Sequence, residues 1–491
     1  MQTKITKTAL RLSLVTLSVA SILGCVPNAA VNSSNESVGI YGYKGAAQAF
    51  LDDSGAPSVN PDDLHELLVA GKALHDAGLW EQSREVLDTA AQQLMWKEDT
   101  IDTPSEAVKF VGTTLTNDTL AGYNGKIYEG LMLDYYQAIN NLMLGDESSA
   151  RVSFNRLEER QGNAEIQLQS YTRSLNDADI EVDDQQDQEI VEQTVADADE
   201  NFAQGLANLP ENQMAAQIRS PSGDLVNALF RQTSSASADR ASDRTKRAIK
   251  AVQAKAPDAT ARRFAGALEQ SFVNLKADHV FVLYEDGSGP SIDEFRVDLP
   301  LALVSDDLLY AGVALPEFKQ GYVNNQSLTL TQGSLSTETV PVTDMNRIAS
   351  LEFSAAYDKK VAKEVTSAII KTVAQVAANK AIDQEVDNPL AGLLMKVAVA
   401  GTQAALTRAD TRYWVNLPNQ IQMASFKKSG TGAIKIFDAS GNPIVTVPAL
   451  PGHQLIYVRQ QTRGGDVKVY SQRLPANDRA VEYVTNWAPA E

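Results

Sequence analysis

The residues best suited to chemistry in this 491-residue chain form a short cluster of charged and aromatic side chains near position 410. The cluster consists of Arg408, Asp410, Arg412 and Trp414. Arginine and carboxylate groups form forked hydrogen bonds, which are strong where the pair is partly buried. Two interpretations stay open: a structural clamp at the end of a helix, with Trp414 in the core, or a ligand site that uses the two arginines.

Motifs that would point to catalysis or to a metal are missing from the sequence. The chain contains neither a G-x-S-x-G nucleophile turn nor a phosphate-binding G-x-x-x-x-G-K-[ST] loop. His65 and His75 lie too far apart for the i, i+4 histidine pair of a helical zinc site. The acidic stretch 177–184 has Val182 where a calcium loop needs glycine. We therefore expect a protein that is not an enzyme and that uses neither a metal nor a cofactor.

Cys25 is the single cysteine of the chain, and it follows a segment with the layout of a secretory signal. Lys4, Lys7 and Arg11 precede or open an apolar run that closes on Gly24. This run is shorter than the roughly 20 apolar residues that span a bilayer. Residues 1–24 are thus predicted to be a signal peptide, and no second cysteine exists to pair with Cys25 in a disulfide.

A signal that ends on cysteine resembles the lipobox of bacterial lipoproteins, which reads Ile22-Leu23-Gly24-Cys25 in this chain. The resemblance implies that Cys25 becomes the acylated first residue, carrying fatty acids such as palmitate, and attaches the protein to a membrane. Residue 26 is valine and not the aspartate that retains lipoproteins at the inner membrane of enteric bacteria. The implied location is the outer membrane of a Gram-negative bacterium, on its periplasmic face.

Charge composition bears on the class of partner. The chain has 62 acidic and 43 basic residues, giving a formal net charge of −19, and three of the basic residues lie in the predicted signal. Such a surface repels the phosphate backbone, so nucleic acid is not an expected partner. It also repels anionic lipid, so attachment to a membrane would depend on the covalent anchor.

The first half of the chain is predicted to be a tether followed by helices. Residues 25–61 are rich in Asn, Ser, Ala and Gly and are interpreted as a tether. Apolar residues at helical spacing then continue through residues 62–275. Two stretches, 64–90 and 130–157, resemble the helix–turn–helix units of tetratricopeptide repeats, and residues 225–257 are interpreted as a third, degenerate unit. The expected architecture is a helical array in which each unit buries an apolar face against its neighbour.

The second half, residues 276–491, is predicted to be a mixed domain. Short apolar stretches bounded by turn residues indicate strands from His279 onward. Two apolar helical segments indicate a helical hairpin over residues 355–409. Residues 420–475 are expected to form a small C-terminal antiparallel β-sheet or sandwich. The predicted fold class is therefore α+β, with an N-terminal tetratricopeptide-like array.

Several short motifs are similar to those of a family of uncharacterised bacterial outer-membrane lipoproteins with tetratricopeptide-like repeats. The motifs are residues 125–129, 142–146, 388–394 and 408–412. The resemblance implies a setting in envelope assembly and supplies no catalytic residues. Our leading hypothesis is a scaffold that docks other periplasmic or outer-membrane proteins. The alternative is a binding module for peptidoglycan or envelope polysaccharide, suggested by Tyr41, Tyr43 and Trp487.

Overall fold

The structure is a computed structural model of the full chain. It describes residues 31, 34–100, 122–177, 218–236, 243–255, 259–273, 277–299, 311–355, 357, 361–362, 365–366 and 409–485. Cys25 and its signal, Arg408, most of the predicted helical hairpin 355–409, and Trp487 lie outside these residues. The predictions made for them stay predictions.

Helices occupy the described part of the chain before residue 277, and strands dominate after it, so the fold is mixed α+β as predicted. The helices are α1 (Ser34–Ala47), α2 (Leu64–Asp76), α3 (Trp80–Thr100), α4 (Ile127–Met143), α5 (Glu147–Asp177), α6 (Pro221–Thr233), α7 (Asp243–Lys255) and α8 (Ala259–Val273). Residues 345–355 are also helical. None of the described helices combines the length and apolar composition needed to cross a membrane.

The strands form two sheets and a separate hairpin. They are β1 (His279–Asp286), β2 (Ser291–Leu299), β3 (Ala311–Lys319), β4 (Thr329–Gln332), β5 (Leu335–Glu338), β6 (Val340–Asp344), β7 (Gln420–Lys427), β8 (Ile434–Phe437), β9 (Pro443–Val447), β10 (His453–Gln460), β11 (Val467–Leu474) and β12 (Val481–Tyr483). The larger sheet has the order β12-β11-β10-β1-β7-β6, the smaller has β5-β4-β8-β9, and β2 pairs with β3.

Residues 420–475 do not form one antiparallel sheet of their own, as one of the two expectations for this segment had it; their strands divide between two sheets that pack on each other. Strands β7, β10 and β11 join the larger sheet, whereas β8 and β9 belong to the smaller one. Strand β1 lies between β7 and β10 and pairs with β10 in parallel. The reason is the composition of β1, which is buried along its whole length and so needs a neighbouring strand on each edge and a covering layer on each face.

The larger sheet is the middle layer of the molecule. Phe281 and Leu283 on one face belong to the core that the helices share, whereas Val280 and Val282 on the other face pack toward the smaller sheet. This division follows from the two-residue period of a strand. The helical and β-rich parts of the chain therefore share one hydrophobic core.

The segment predicted as a tether is folded from Ser34 onward. Helix α1 is kinked at Gly42, where φ is 68°; Val38 before the kink and Tyr43 and Ala46 after it are buried in the common core, and Phe50 follows in a short 3₁₀ turn. The Asn-, Ser- and Gly-rich composition of residues 25–61 concealed this helix, because few of its positions are apolar and a kink at Gly42 interrupts their spacing.

Two helical hairpins close with the same type of turn. At the end of α2, the Leu79 N–H donates to Leu74 O at 2.9 Å, and at the end of α4 the Asp146 N–H donates to Asn141 O at 2.8 Å. Each turn contains a glycine in the left-handed region, Gly78 at φ 76° and Gly145 at φ 77°. This is the Schellman geometry, which satisfies the last carbonyls of a helix.

The turn at Gly145 also joins the helices to the C-terminal segment. A Cβ at Gly145 would lie 2.5 Å from the backbone oxygen of Asp478. We expect Gly145→Ala to lower the free energy of unfolding by about 2–3 kcal/mol, because a left-handed backbone and a clash with main-chain atoms both oppose the methyl group. Urea denaturation measures this change.

Gly55 provides the matched control for that substitution. It has φ 82°, but a Cβ there would meet no atom within 4 Å. Gly55→Ala should therefore lower the free energy of unfolding by only about 1 kcal/mol, because the left-handed backbone is the only feature that opposes the methyl group. Equal losses for the two variants would contradict the close contact with Asp478.

Candidate functional site

The predicted cluster is divided between a surface pair and the core. Arg412 Nε donates to Asp410 Oδ1 at 2.8 Å, and Nη2 donates to Oδ2 at 2.9 Å. Both side chains are about a quarter exposed. The Arg412 guanidinium also lies 5.4 Å from the centroid of the Tyr123 ring. The structure thus brings Asp410 and Arg412 together as a fork, and Arg408 lies outside the described residues.

Trp414 is buried and contacts a different helix. Its backbone N–H donates to Glu129 Oε1 at 2.9 Å, and its ring packs edge-on against Tyr136 with centroids 5.8 Å apart. Only 2% of its surface is exposed. The buried ring matches the clamp interpretation of the cluster, because a ligand could not reach it without opening the core.

Glu129, which is not a member of the predicted cluster, holds this region together. Its carboxylate accepts the Tyr123 hydroxyl at 2.7 Å, the Lys126 backbone N–H at 2.9 Å and the Trp414 backbone N–H. It is the third residue of α4, the position where a glutamate returns to cap the start of a helix. The position of Glu129 in the sequence could have predicted its role as a helix cap. Its hydrogen bond to Trp414 could not be predicted, because the two residues are far apart in the sequence.

A second carboxylate caps the same helix from elsewhere in the chain. Glu352 accepts the backbone N–H groups of Ile127 at 2.9 Å and Tyr128 at 3.2 Å. Burial raises the pKa of Glu352, although these hydrogen bonds oppose the shift. The start of α4 therefore has its free N–H groups satisfied by protein carboxylates.

A small cleft lies beside the start of α4. It is lined by Lys126, Tyr128, Tyr171, Pro290, Ser291, Ile292, Phe318, Ala349, Glu352 and Phe353.

The Asp410–Arg412 fork should make a pH-dependent contribution to stability. Burial opposes the charge of Asp410, but hydrogen bonds from Arg412 and the positive charges of Lys126 and Arg412 outweigh burial and lower its pKa from 3.8 to about 2. A carboxyl with a lowered pKa in the folded state stabilises that state above its unfolded pKa. The contribution is lost as the pH falls from about 4 toward 2.

We therefore expect Asp410→Asn to lower the free energy of unfolding by about 1–2 kcal/mol at pH 7. The difference in unfolding free energy between the variant and the parent protein should become smaller when denaturation is repeated below pH 4. A cost that stays constant down to the acid range would show that the carboxylate charge is not the stabilising group.

The densest charged cluster is a network of four fully buried side chains between α2 and the larger sheet. Lys72 Nζ donates to Asp76, and it lies 3.2 Å from Glu285 Oε2. Arg459 Nε donates to Asp76 Oδ2 at 3.4 Å. None of the four side chains is more than 2% exposed. We call these four residues the buried ionic network.

The positions of the four residues follow from simple periodicities. Lys72 and Asp76 are separated by one helical turn and therefore face the same way. Glu285 continues the inward-facing series of β1, and Arg459 continues that of β10. The parallel pairing of the two strands places Glu285 opposite Arg459. Glu285 and Arg459 each occupy one of the alternate strand positions that are otherwise apolar and buried. This spacing was a signal in the sequence that our predictions did not use.

Further contacts satisfy most of this network. Arg459 donates to the backbone oxygens of Gly287 at 2.9 Å and Asn416 at 3.3 Å. The Tyr136 hydroxyl donates to Glu285 Oε2 at 3.2 Å. Burial lowers the pKa of Lys72, and the neighbouring carboxylates oppose that shift. Burial also disfavours charge on Arg459, but surrounding anionic and phenolic groups raise its pKa. Two cations thus face two carboxylates, so the network has no net charge.

His75 lies beside the network and is held neutral. Its Nδ1 lies 2.7 Å from Asn140 Oδ1 and its Nε2 lies 2.9 Å from the Tyr457 hydroxyl. An amide oxygen only accepts, so the proton is assigned to Nδ1 and Tyr457 donates to Nε2. Burial, followed by the positive charge of Lys72, lowers the pKa of His75 well below 6.5.

Both charged regions consist of groups paired with other groups of the same chain, which is an arrangement suited to holding elements together. Within the described ranges, no three or more His, Cys, Asp or Glu side chains are grouped so that they could hold a metal ion. Comparisons of the chain with protein-family models, with curated proteins and with solved structures find no match.

Proposed function

We propose that this protein is a lipid-anchored lipoprotein of the outer membrane that faces the periplasm and acts by binding. The observation that carries the anchor is the sequence Ile22-Leu23-Gly24-Cys25 at the end of a signal-like segment. Acyl chains contribute about 0.8 kcal/mol per buried methylene group, and stable attachment requires more than one chain. The triacylated cysteine of the lipoprotein class meets that requirement.

We further propose that the folded part is a docking scaffold for periplasmic or outer-membrane proteins. The hairpins α2–α3 and α4–α5 support this proposal, because α2, α3, α4 and α5 pack consecutively, as the helices of tetratricopeptide-like units do. In this proposal the two hairpins are such units. The buried charged groups described above pair with one another inside the protein. In this proposal a partner would therefore bind the exposed faces of the helices.

The outer face of α5 is our choice for the docking surface. Val152 and Ile166 are 49% and 63% exposed, and they lie about four turns apart on the same side of the helix. Arg156 and Glu159 are exposed between them. A face with apolar side chains separated by charges of both signs suits another amphipathic helix.

Photo-crosslinking in intact cells tests this proposal. A photoreactive residue would replace Val152 or Ile166 in the full-length protein, and Leu335, which is 40% exposed in the smaller sheet, provides the control position. We expect discrete protein adducts at the two α5 positions and none at Leu335. The absence of protein adducts at both α5 positions would reject the docking surface.

The second candidate is a binding module for peptidoglycan or envelope polysaccharide. The observation that favours it is the ring of Tyr41, which is 64% exposed and available for stacking on a sugar. Tyr43, the other aromatic residue that suggested this function, is buried and accepts the Gln461 backbone N–H through its hydroxyl. Co-sedimentation with purified sacculi that is lost in Tyr41→Ala would favour this candidate over the scaffold.

A further inference from the structure

We infer that the surface around α1 lies against the phospholipid bilayer, so that the anchored protein has a fixed orientation on the membrane. This inference rests on the proposed lipid anchor at Cys25. It replaces the expectation that residues 25–61 lift the folded part away from the membrane. Three observations carry it: the reach of the chain from the anchor, the attachment of α1 to the sheet, and the distribution of exposed apolar side chains.

The chain between the anchor and the folded part is short. Val31 is already buried in the common core, with 2% of its surface exposed. A chain extends by at most about 3.6 Å per residue, so Cys25 can lie no more than about 22 Å from Val31. Lipid chains attached at Cys25 would therefore keep Val31, three residues before the start of α1, within about that distance of the membrane surface.

Helix α1 is fixed to the rest of the molecule, so holding α1 at the membrane orients the whole folded part. The Asn35 side chain donates to Val415 O at 2.6 Å, in the segment before β7. The Tyr43 hydroxyl accepts the Gln461 backbone N–H at 2.7 Å, directly after β10. The Tyr43 backbone N–H donates to Asp466 Oδ2 at 3.3 Å. These contacts tie α1, on both sides of its kink, to segments that adjoin strands of the larger sheet.

Exposed apolar side chains are concentrated around this helix. Ile40 and Tyr41 lie on α1 itself. Tyr322 and Val323 lie in the loop that bridges to Ser288, whose hydroxyl lies 3.4 Å from Asn35 Nδ2. Lys44 pairs with Glu482 in β12, so the end of that strand, with the exposed Val484 directly after it, lies beside α1. Five of the ten large apolar side chains that are exposed in the described residues lie on α1 or in these neighbouring segments, namely Ile40, Tyr41, Tyr322, Val323 and Val484.

The chemistry of this surface suits the headgroup region of a bilayer. Tyrosine places an apolar ring in the acyl boundary and a hydroxyl among the headgroups, and for this reason it is enriched at membrane interfaces. The net acidic chain is repelled by anionic lipid, so these few side chains would make a shallow contact that depends on the covalent anchor.

Site-specific labelling tests the orientation, because a lipidated Cys25 leaves the chain with no other thiol. Single substitutions Tyr41→Cys and Tyr322→Cys report on the proposed face, and Val152→Cys and Ile166→Cys report on α5. Each full-length lipoprotein would be labelled with an environment-sensitive fluorophore. It would then be reconstituted into phosphatidylethanolamine–phosphatidylglycerol vesicles that contain nitroxide-bearing lipids.

We expect quenching by the nitroxide lipids to be at least twofold stronger at positions 41 and 322 than at positions 152 and 166. Equal quenching at the four positions of a protein whose lipid is verified by mass would overturn the orientation and leave the anchor intact. A protein in which Cys25 itself reacts with the label carries no lipid, and that result would overturn the anchor together with the orientation.

Discussion

Cys25→Ser should remove the protein from the outer-membrane fraction, because the variant is either released or left elsewhere in the envelope. The substitution removes the only thiol in the chain and with it the atom to which lipid would be attached. The few exposed apolar side chains around α1 do not replace two or three acyl chains, and the net acidic surface is repelled by anionic phospholipid. Fractionation of envelopes followed by immunodetection measures the redistribution.

A substitution at the next position provides the control for this experiment. Val26→Asp should keep the lipid but place the protein in the inner-membrane fraction, if the host sorts lipoproteins as enteric bacteria do. A Cys25→Ser protein that still sediments with the outer membrane in the parental amount would contradict the anchor.

Arg459→Met should destabilise the protein by about 3–5 kcal/mol, the largest effect expected for one residue of the folded part. The substitution leaves Asp76 and Glu285 with only Lys72 as a counter-charge in a region that is closed to water. It also removes the donors that satisfy the backbone oxygens of Gly287 and Asn416. Methionine has a similar volume, so the loss would report on charge and hydrogen bonding more than on a cavity. Chemical denaturation measures it.

Arg479→Met serves as the matched control. Arg479 pairs with Glu81, but the two side chains are 60% and 59% exposed, so water screens the pair and the loss should stay below about 1 kcal/mol. If the two variants lose the same stability, the buried ionic network does not join α2 to the sheet in the way that the geometry indicates.

Most elements of the described fold could be predicted from the sequence, because their residue patterns are local. The alternation in β8 and the apolar run of β1 each indicate a strand. The glycines at 78 and 145 indicate the ends of helices α2 and α4. The class α+β follows from these patterns.

The order of the strands could not be predicted, because it depends on contacts between residues that are far apart in the sequence. Nothing local to His279–Asp286 states that β10 will lie beside it in parallel while β7 lies on its other edge. Compositional bias also concealed α1, since its buried face is formed by a few apolar residues among Asn, Ser and Gly. The spacing of the apolar residues in α1 predicts which of them are buried only if the segment is already known to be helical.

The charged residues were predicted with similarly mixed success. The Asp410–Arg412 pair was found because the two residues are neighbours in the sequence. Glu129 and Glu285 were missed because their partners come from other parts of the chain. The sequence shows that a glutamate lies at the third position of a helix, or that a charged residue lies on the buried side of a strand. It does not show which distant residue will be the partner of that charge.

The most direct test of the lipoprotein account is the mass of the N-terminal peptide of the mature protein purified from membranes. The account predicts a peptide that begins at Cys25 and carries the added mass of a diacylglyceryl group and an amide-linked acyl chain. An unmodified Cys25, or an intact peptide that continues through Gly24 into residue 25, would contradict it.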